Sequence, residues 1–219
     1  MQKLLAPSIL SADMSNLSQQ ISLVEKGGAD WIHCDVMDGH FVPNLTFGPI
    51  IIDAVKRSTK LPVDVHLMIK NPDNIIESFV KNGADYLVVH EEEVIHLNRT
   101  LTRIRELGCK PGVAINPSTP VSNIKEIVEL IDLLLIMSVN PGYGGQKFIN
   151  STLRKIEEAA NIKSTHGLDF FIEVDGGITK ENIVSVSNAG CDVFVAGNSI
   201  FANEDISRAT SELKKLIIK

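Results

Sequence analysis

The chain has 219 residues, of which 44% are hydrophobic and 22% charged, and its net charge at pH 7 is −6. This composition is typical of a globular protein, and a negative charge without a basic patch argues against nucleic acid or an anionic membrane as a partner. No apolar run approaches the roughly 18 residues of a membrane span, and the N-terminus lacks the apolar core of a secretory signal, so we expect a cytoplasmic protein.

A short motif, called here the joint, recurs where a predicted helix ends and a predicted strand begins. The tripeptide Gly-x-Asp, followed by an apolar run, occurs at residues 28–30, 83–85, 167–169 and 190–192. It is typical of a helix that ends on glycine, followed by one polar turn residue and a buried strand. With variants of this joint, eight strands are predicted in chain order, at residues 4–7, 31–35, 63–67, 86–89, 112–115, 133–137, 170–172 and 193–195.

Apolar stripes at helical spacing separate these strands, as with Leu17, Ile21 and Val24. Further stripes lie at residues 75–80, 97–104, 121–131, 153–156 and 206–216. Short apolar strands that alternate with helices predict a parallel sheet covered on both faces. Eight such units without a visible linker favour one domain over residues 1–219, a closed (β/α)8 TIM barrel, with an open doubly wound sheet as the alternative.

Polar residues follow or end the predicted strands, where a barrel of this type carries its chemistry. They are Ser8, His33, Asp35, His66, His90, Asn116, Ser138 and Asp175. His33 and Asp35 share one face of their strand, and we expect that face to point inward because helices cover the outer surface. Each residue alone could be an ordinary hydrogen-bonded polar group at a strand end, but four of them converge from three strands.

Those four are His33, Asp35, His66 and Asp175. Two imidazoles and two carboxylates suit one divalent ion of Zn, Fe, Mn or Co, whereas Mg or Ca would favour oxygen ligands alone. Asp64 shares the face of His66 and either orients an imidazole or is a structural carboxylate. No thiolate site is expected, because Cys34, Cys109 and Cys191 are far apart in the sequence.

Two of these carboxylates are placed for proton transfer. Strands 2 and 7 are three steps apart around an eight-membered ring, so Asp35 and Asp175 would reach a central substrate from roughly opposite faces. Inversion at a carbon needs one group that removes a proton from one face and another that delivers a proton to the other. A metal that chelates adjacent oxygens would stabilise the enediolate between the two steps.

Glycine clusters follow strands 6, 7 and 8. They are Gly142, Gly144 and Gly145 around Tyr143, then Gly176 with Gly177, and Gly197 before Asn198. Glycine lets backbone N–H groups approach an anion closely, so the clusters predict a phosphate cradle. Each cluster alone could also be a tight turn.

Long blocks of the sequence resemble the ribulose-phosphate 3-epimerase family. They are HCDVMDGHFVPN at 33–44, DVHLM at 64–68, NPSTP at 116–120, MSVNPGYGGQ at 137–146, DGG at 175–177 and the Gly197 loop. The resemblance implies that D-ribulose 5-phosphate and D-xylulose 5-phosphate are interconverted by inversion at C3. Independently of this resemblance, we expect a homo-oligomer, since barrels of this type usually associate.

The resemblance assigns roles to the matching residues. Asp35 would accept the proton, Asp175 would donate one, and both would bind the metal with His33 and His66. The substrate would be held by Ser8, His66, Gly142, Tyr143, Gly144, Gly145, Asp175, Gly176, Gly177, Gly197 and Asn198. Tyr143 stands where the family leads us to expect Phe, and Asn198 where it leads us to expect Ser.

Two other functions are compatible with these residues. One is a 3-epimerase of a hexulose 6-phosphate such as allulose 6-phosphate, although such relatives tend to carry Ser at the position of Gly177. The other is a sugar-phosphate-binding barrel without catalysis, against which the presence of both Asp35 and Asp175 argues.

Overall fold

The structure is a computed structural model that describes residues 2–218. Eight parallel strands form one sheet: from the second to the eighth, each strand pairs with the next in the chain, and the eighth pairs with the first. The strands are β1 (Leu4–Pro7), β2 (Ile32–Met37), β3 (Val63–Met68), β4 (Tyr86–His90), β5 (Lys110–Ile115), β6 (Leu133–Met137), β7 (Phe171–Asp175) and β8 (Val193–Ala196).

Contacts between β1 and β2 close the sheet into a barrel. Ser8 forms an isolated parallel bridge with His33, and the N–H groups of Asp30 and Trp31 donate to the Leu5 carbonyl at 2.9 and 3.3 Å. The predicted (β/α)8 TIM barrel is therefore confirmed, and the open doubly wound sheet is excluded.

Helices follow the strands and cover the outside of the barrel. They are α1 (Leu17–Lys26), α2 (Pro49–Ser58), α3 (Ile76–Lys81), α4 (Leu97–Glu106), α5 (Leu153–His166), α6 (Ile183–Asn188), α7 (Asn198–Phe201) and α8 (Ile206–Ile217). None of the helices within residues 2–218 combines the length and apolar character that a membrane crossing requires.

The connection between β5 and β6 differs from the α-helix that its apolar stripe predicts. Val121–Leu130 is a 3-10 helix of 10 residues. Val121, Ile124 and Ile127 are three residues apart and all buried. Three residues complete one turn of a 3-10 helix, so this spacing aligns the three side chains on the covered face.

β2 and β3 continue beyond their predicted ends, which changes the depth of the polar residues. His33 and Asp35 do not end β2, and His66 does not end β3, because β2 continues to Met37 and β3 to Met68. The register sets His33 opposite Asp64, Asp35 opposite His66, and Met37 opposite Met68. The polar layers therefore lie inside the barrel, below a rim of methionine.

Aromatic side chains close the opposite end of the barrel. The rings of Trp31 and Tyr86 stack with centroids 4.3 Å apart, and Phe171 meets Trp31 edge-on at 5.3 Å. Leu133 and Val193 belong to the same interior apolar cluster. The polar layers thus face solvent only from the carboxyl ends of the strands.

The repeated Gly-x-Asp joint has a structural reason. Gly28, Gly83, Gly167 and Gly190 all have positive φ, between 62° and 115°, which glycine adopts without strain. The carboxylates of Asp30, Asp85 and Asp192 accept the N–H groups of Leu5, Val63 and Ile172 at 2.7, 2.7 and 3.1 Å. Three of the four joints therefore fasten one strand to the start of its neighbour.

We expect Asp30→Ala to lower the free energy of unfolding by about 2–3 kcal/mol. The substitution removes the acceptor of the Leu5 N–H and the ion-pair partner of Lys214, which lies at 2.5 Å and is largely buried. Asp169→Ala is the matched control, because the exposed Asp169 carboxylate makes no hydrogen bond within residues 2–218. Urea unfolding of both variants measures the difference, and equal losses would contradict the assigned role of the joint.

Candidate active site

The centre of the polar layer is the Asp35 carboxylate. Its Oδ1 lies 3.3 Å from Nε2 of His33 and 3.2 Å from Nδ1 of His66, while its Oδ2 accepts the Ser8 hydroxyl at 2.6 Å. Burial alone would raise the pKa of Asp35, but the two imidazoles hold it well below its usual range. Asp35 is thus ionised although its side chain is buried.

The His33 ring is held from below. Its Nδ1 lies 2.6 Å from Asp64 Oδ2 and 3.6 Å from Glu173 Oε1. Asp64 therefore contacts an imidazole, which was one of the two interpretations of this residue. Burial alone would lower the pKa of His33, but Asp35 and Asp64 raise it well above its usual value. If a cation replaced the proton on Nε2, the remaining proton would lie on Nδ1, toward Asp64.

Asp175 completes the cluster from β7. Single donor atoms of His33, Asp35, His66 and Asp175 all lie within 4.8 Å of one another. The Asp175 carboxylate makes no hydrogen bond to another residue in the part of the chain that the structure describes. Burial, reinforced by the charge of Asp35, raises the pKa of Asp175 to about 7.

This geometry fits a divalent cation. The cluster joins two imidazoles to two carboxylates, and one of those carboxylates, Asp175, makes no hydrogen bond within residues 2–218. Two carboxylates this close destabilise each other when both are ionised, and a cation between them removes that repulsion. The four predicted metal ligands are brought together in space.

A pocket of about 290 Å³ opens above the cluster at the carboxyl ends of the strands. Met37, Met68 and Met137 form part of its wall, together with Asp35. Of the predicted substrate-binding residues, those that line it are Ser8, Gly142, Tyr143, Gly144, Gly145, Asp175, Gly176, Gly177, Gly197 and Asn198. His66 does not line the pocket, because it is fully buried beneath Asp35 and the methionine rim.

Loops after β2 and β6 meet over one side of the pocket. The Tyr143 hydroxyl donates to the Pro43 carbonyl at 2.7 Å, and the Asn44 amide donates to the Gly142 carbonyl at 2.8 Å. A phenylalanine at 143 could not make the first of these bonds. The tyrosine therefore adds a hydrogen bond between the loops.

At four glycines in the wall, Gly145, Gly176, Gly177 and Gly197, an added Cβ would lie less than 3.0 Å from another atom. At Gly177, φ is +66° and an added Cβ would lie 2.6 Å from the Phe148 backbone nitrogen. At Gly145, φ is +74° and the Cβ would lie 2.6 Å from Asn198 Nδ2. The Asn198 amide oxygen accepts the Ser11 hydroxyl at 2.8 Å, so its side chain is held against the Gly145 loop.

Sequence reasoning assigned no role to three buried or partly buried polar residues beside this cluster. Glu173 is fully buried beneath His33, and neither of its carboxylate oxygens has a hydrogen bond to a residue among 2–218. Burial raises its pKa well above the usual value. His90 contacts His66, and Glu92 contacts His90. Glu173 stands two residues before Asp175 and so shares its inward face, which was the available signal.

The family profile described as Ribulose-phosphate 3 epimerase family matches residues 4–201. The chain belongs to this family. A ribulose-phosphate 3-epimerase of Bacillus subtilis (strain 168) is 53% identical over 210 residues, which cover 95% of this chain and 97% of the relative. One of Escherichia coli (strain K12) is 43% identical over 219 residues, covering 100% and 97%. The predicted class, an isomerase that acts on carbohydrates, is confirmed by these relatives.

Solved structures outside the ribulose-phosphate 3-epimerase family share the barrel. A 3-hexulose-6-phosphate synthase from Salmonella typhimurium superposes with a TM-score of 0.72 at 16% identity, covering 98% of each chain. At this identity the likeness concerns the fold alone.

We expect Gly177→Ala to lower the free energy of unfolding by about 1–3 kcal/mol, because the new methyl group meets backbone atoms at a positive φ. Gly144→Ala is the control. Gly144 does not have a positive φ, and its added Cβ would come no nearer than 3.5 Å to another residue, so the change should stay within about 0.5 kcal/mol. Thermal unfolding of both variants measures the contrast, and a Gly177→Ala protein as stable as Gly144→Ala would show that the loops relax freely.

Proposed function

We propose that this protein interconverts D-ribulose 5-phosphate and D-xylulose 5-phosphate by inversion at C3. The observation that carries the proposal is the pairing of two carboxylates from β2 and β7 at the floor of a glycine-lined pocket, in a chain of the ribulose-phosphate 3-epimerase family. The carboxylates supply proton transfer, and the glycine loops supply a place for the phosphate.

In this mechanism Asp35 removes the C3 proton of ribulose 5-phosphate. The low pKa of Asp35 keeps it ionised before substrate binds. Asp175 then delivers a proton to the other face of C3, and the two exchange roles in the reverse direction. Their strands, β2 and β7, are three positions apart around the barrel, which supports an approach of the two carboxylates to one carbon from opposite faces.

His33, Asp35, His66 and Asp175 would hold the divalent cation. When bound, a cation of Zn, Fe, Mn or Co supplies positive charge that offsets the negative charge developing on the substrate oxygens. The chain's own contribution is to orient these donors and to exclude water. The methionine wall at Met37, Met68 and Met137 serves the second task, since an apolar lining protects a reactive carbanion from solvent.

The phosphate is assigned to the glycine loops after β6, β7 and β8. Gly144, Gly177 and Gly197 line the pocket, and glycine would let their backbone N–H groups approach a bound anion closely. Ser11 and Asn198 hold each other at this wall. Such a site binds an anion through dipoles, which suits a chain whose net charge is −6.

A hexulose 6-phosphate is the alternative substrate within the same mechanism. Gly177 bears on this choice, because a Ser there would place its Cβ 2.6 Å from the Phe148 nitrogen and would require the loop to shift. The present loop therefore suits Gly and, by the resemblance, the pentose substrate. Faster turnover of allulose 6-phosphate than of ribulose 5-phosphate would overturn this choice.

The Asp35 and Asp175 assignment predicts different half-reactions. In D₂O, we expect Asp175→Asn to exchange the C3 proton of ribulose 5-phosphate without forming xylulose 5-phosphate. Asp35→Asn should exchange only the C3 proton of xylulose 5-phosphate. Both variants should lose at least about 10²-fold in epimerisation. NMR of the recovered sugar measures the exchange, and it also tests the alternative of a non-catalytic binder, which predicts no deuterium at C3 with the unaltered chain.

Cation content must be measured in both variants, because each substitution also removes a proposed ligand. Exchange patterns opposite to those expected would reverse the two roles. Near-normal epimerisation by either variant would refute the two-base assignment.

Removal of the cation should abolish turnover. We expect the chelated protein to lose activity and to regain it with Zn, Fe, Mn or Co, because the cluster then recovers its missing positive charge. Elemental analysis beside a coupled xylulose 5-phosphate assay tests this, and full turnover by metal-free protein would contradict it.

The single domain, the cytoplasmic location and the homo-oligomer stay predictions.

A further inference from the structure

A chain of hydrogen bonds connects His66 to the loops after β4 and β5. The Nε2 atom of His66 lies 2.8 Å from Nε2 of His90, and Nδ1 of His90 lies 3.0 Å from Oε2 of Glu92. Both rings are fully buried. The proton transfers at C3 use none of these contacts.

Glu92 is fixed as an acceptor at the far end of this chain. Its Oε1 accepts the Asn116 N–H at 2.8 Å and also the Thr119 hydroxyl. Burial by itself would raise the pKa of Glu92, but hydrogen bonds from His90, Thr119 and Asn116 lower it to about 2. The second oxygen, Oε2, is left facing His90.

The donor and acceptor roles along the chain then follow from one another. An ionised carboxylate has no proton to donate, so Nδ1 of His90 must carry the hydrogen. A neutral imidazole has a single N–H, which makes Nε2 of His90 an acceptor. Nε2 of His66 must therefore donate, and its Nδ1 is left bare.

That bare nitrogen is the one that faces the cation cluster. Nδ1 of His66 lies 3.2 Å from Asp35 Oδ1, and a cation binds only an imidazole nitrogen that has no proton. Conversely, a cation on Nδ1 would keep the His66 proton on Nε2, and His90 would then have to accept it.

We propose that His90 and Glu92 are positioning residues that fix the proton of His66 on Nε2 and so keep Nδ1 free to bind the divalent cation. The inference rests on the proposed function only in taking that cation as the ligand of the cluster. His33 is oriented by one carboxylate, Asp64, in direct contact. For His66 the orienting carboxylate acts through a second ring.

The decisive variant is Glu92→Gln. Its amide oxygen would stay with the two donors, Asn116 N–H and the Thr119 hydroxyl, which turns the NH₂ group toward His90. The proton of His90 would then move to Nε2, and that of His66 to Nδ1, where it blocks the cation. We expect the affinity of the full-length protein for Co²⁺ to fall about 10- to 100-fold.

Glu91→Gln is the matched control. It removes the same charge one residue away, and Glu91 contacts Asn123 and not His90. Competition against a chromophoric chelator measures Co²⁺ affinity in all three proteins. Equal losses in Glu92→Gln and Glu91→Gln would reduce the effect to general electrostatics and overturn the proposal.

The tautomer itself gives a readout that is independent of cation and substrate. In ¹⁵N-labelled protein, long-range ¹H–¹⁵N spectra should place the His66 proton on Nε2 in the unaltered chain and on Nδ1 in Glu92→Gln. A proton on Nδ1 of His66 in the unaltered protein, or on both nitrogens of His90, would refute this relay, by which we mean the hydrogen bonds from Glu92 through His90 to His66.

These outcomes are separable from those of the proposed function. If the unaltered chain binds Co²⁺ with the expected tautomer but does not interconvert the two pentulose phosphates, the relay stands and the function is wrong. If it epimerises the substrate and Glu92→Gln binds Co²⁺ as tightly as the unaltered chain, the function stands and the relay is wrong. Failure of the unaltered chain to bind Co²⁺ contradicts both.

Discussion

The proximity of Asp35 and Asp175 inside the barrel is the constraint on which the rest of the site depends. Their donor atoms lie within 4.8 Å of each other in an interior closed below by aromatic rings. Burial and the charge of Asp35 raise the pKa of Asp175 to about 7, whereas the two imidazoles hold the pKa of Asp35 well below its usual range. Two carboxyl groups whose pKa values differ in this way are suited to opposite halves of an epimerisation.

The residues around the two carboxylates orient the imidazoles and limit the access of water. Each histidine that touches Asp35 has its other nitrogen occupied, His33 by Asp64 and His66 by His90. The free nitrogens are thereby directed at one point. The methionine rim above limits access of water, which would otherwise screen these interactions and weaken them.

The fold could be predicted from the sequence because its signals are local. A Gly with positive φ, an Asp that accepts the N–H of the adjacent strand, and a short apolar run recur through the chain. The residues at which strands end are harder to predict from the sequence. β2 and β3 extend to Met37 and Met68 because they pair residue by residue with each other, and a pattern confined to one strand does not contain its partner.

The difference between local signals and contacts with distant segments also explains which site residues can be predicted from the sequence and which cannot. His33, Asp35, His66 and Asp175 each stand near an apolar run that predicts a strand, and alternation gives their direction. Glu92 lies within three consecutive glutamates, Glu91 to Glu93, a pattern that usually indicates a solvated surface. Only the fold brings its carboxylate to His90, so its position could not be inferred from the chain alone.

The residues of the site come from two groups of neighbouring strands, β2 to β5 and β6 to β8, called here the two arcs. Three of the four proposed cation ligands come from β2 and β3, and the hydrogen bonds that lead away from His66 continue into β4 and the loop after β5. The glycine loops proposed to hold the phosphate follow β6, β7 and β8. Asp175 at the end of β7 connects the two arcs, since Gly176 and Gly177 follow it directly. A shift of the glycine loops would therefore move one of the two acids, whereas Asp35 is fixed by its neighbours in β2 and β3. If these loops hold the phosphate as proposed, its placement and the placement of the second acid are mechanically coupled.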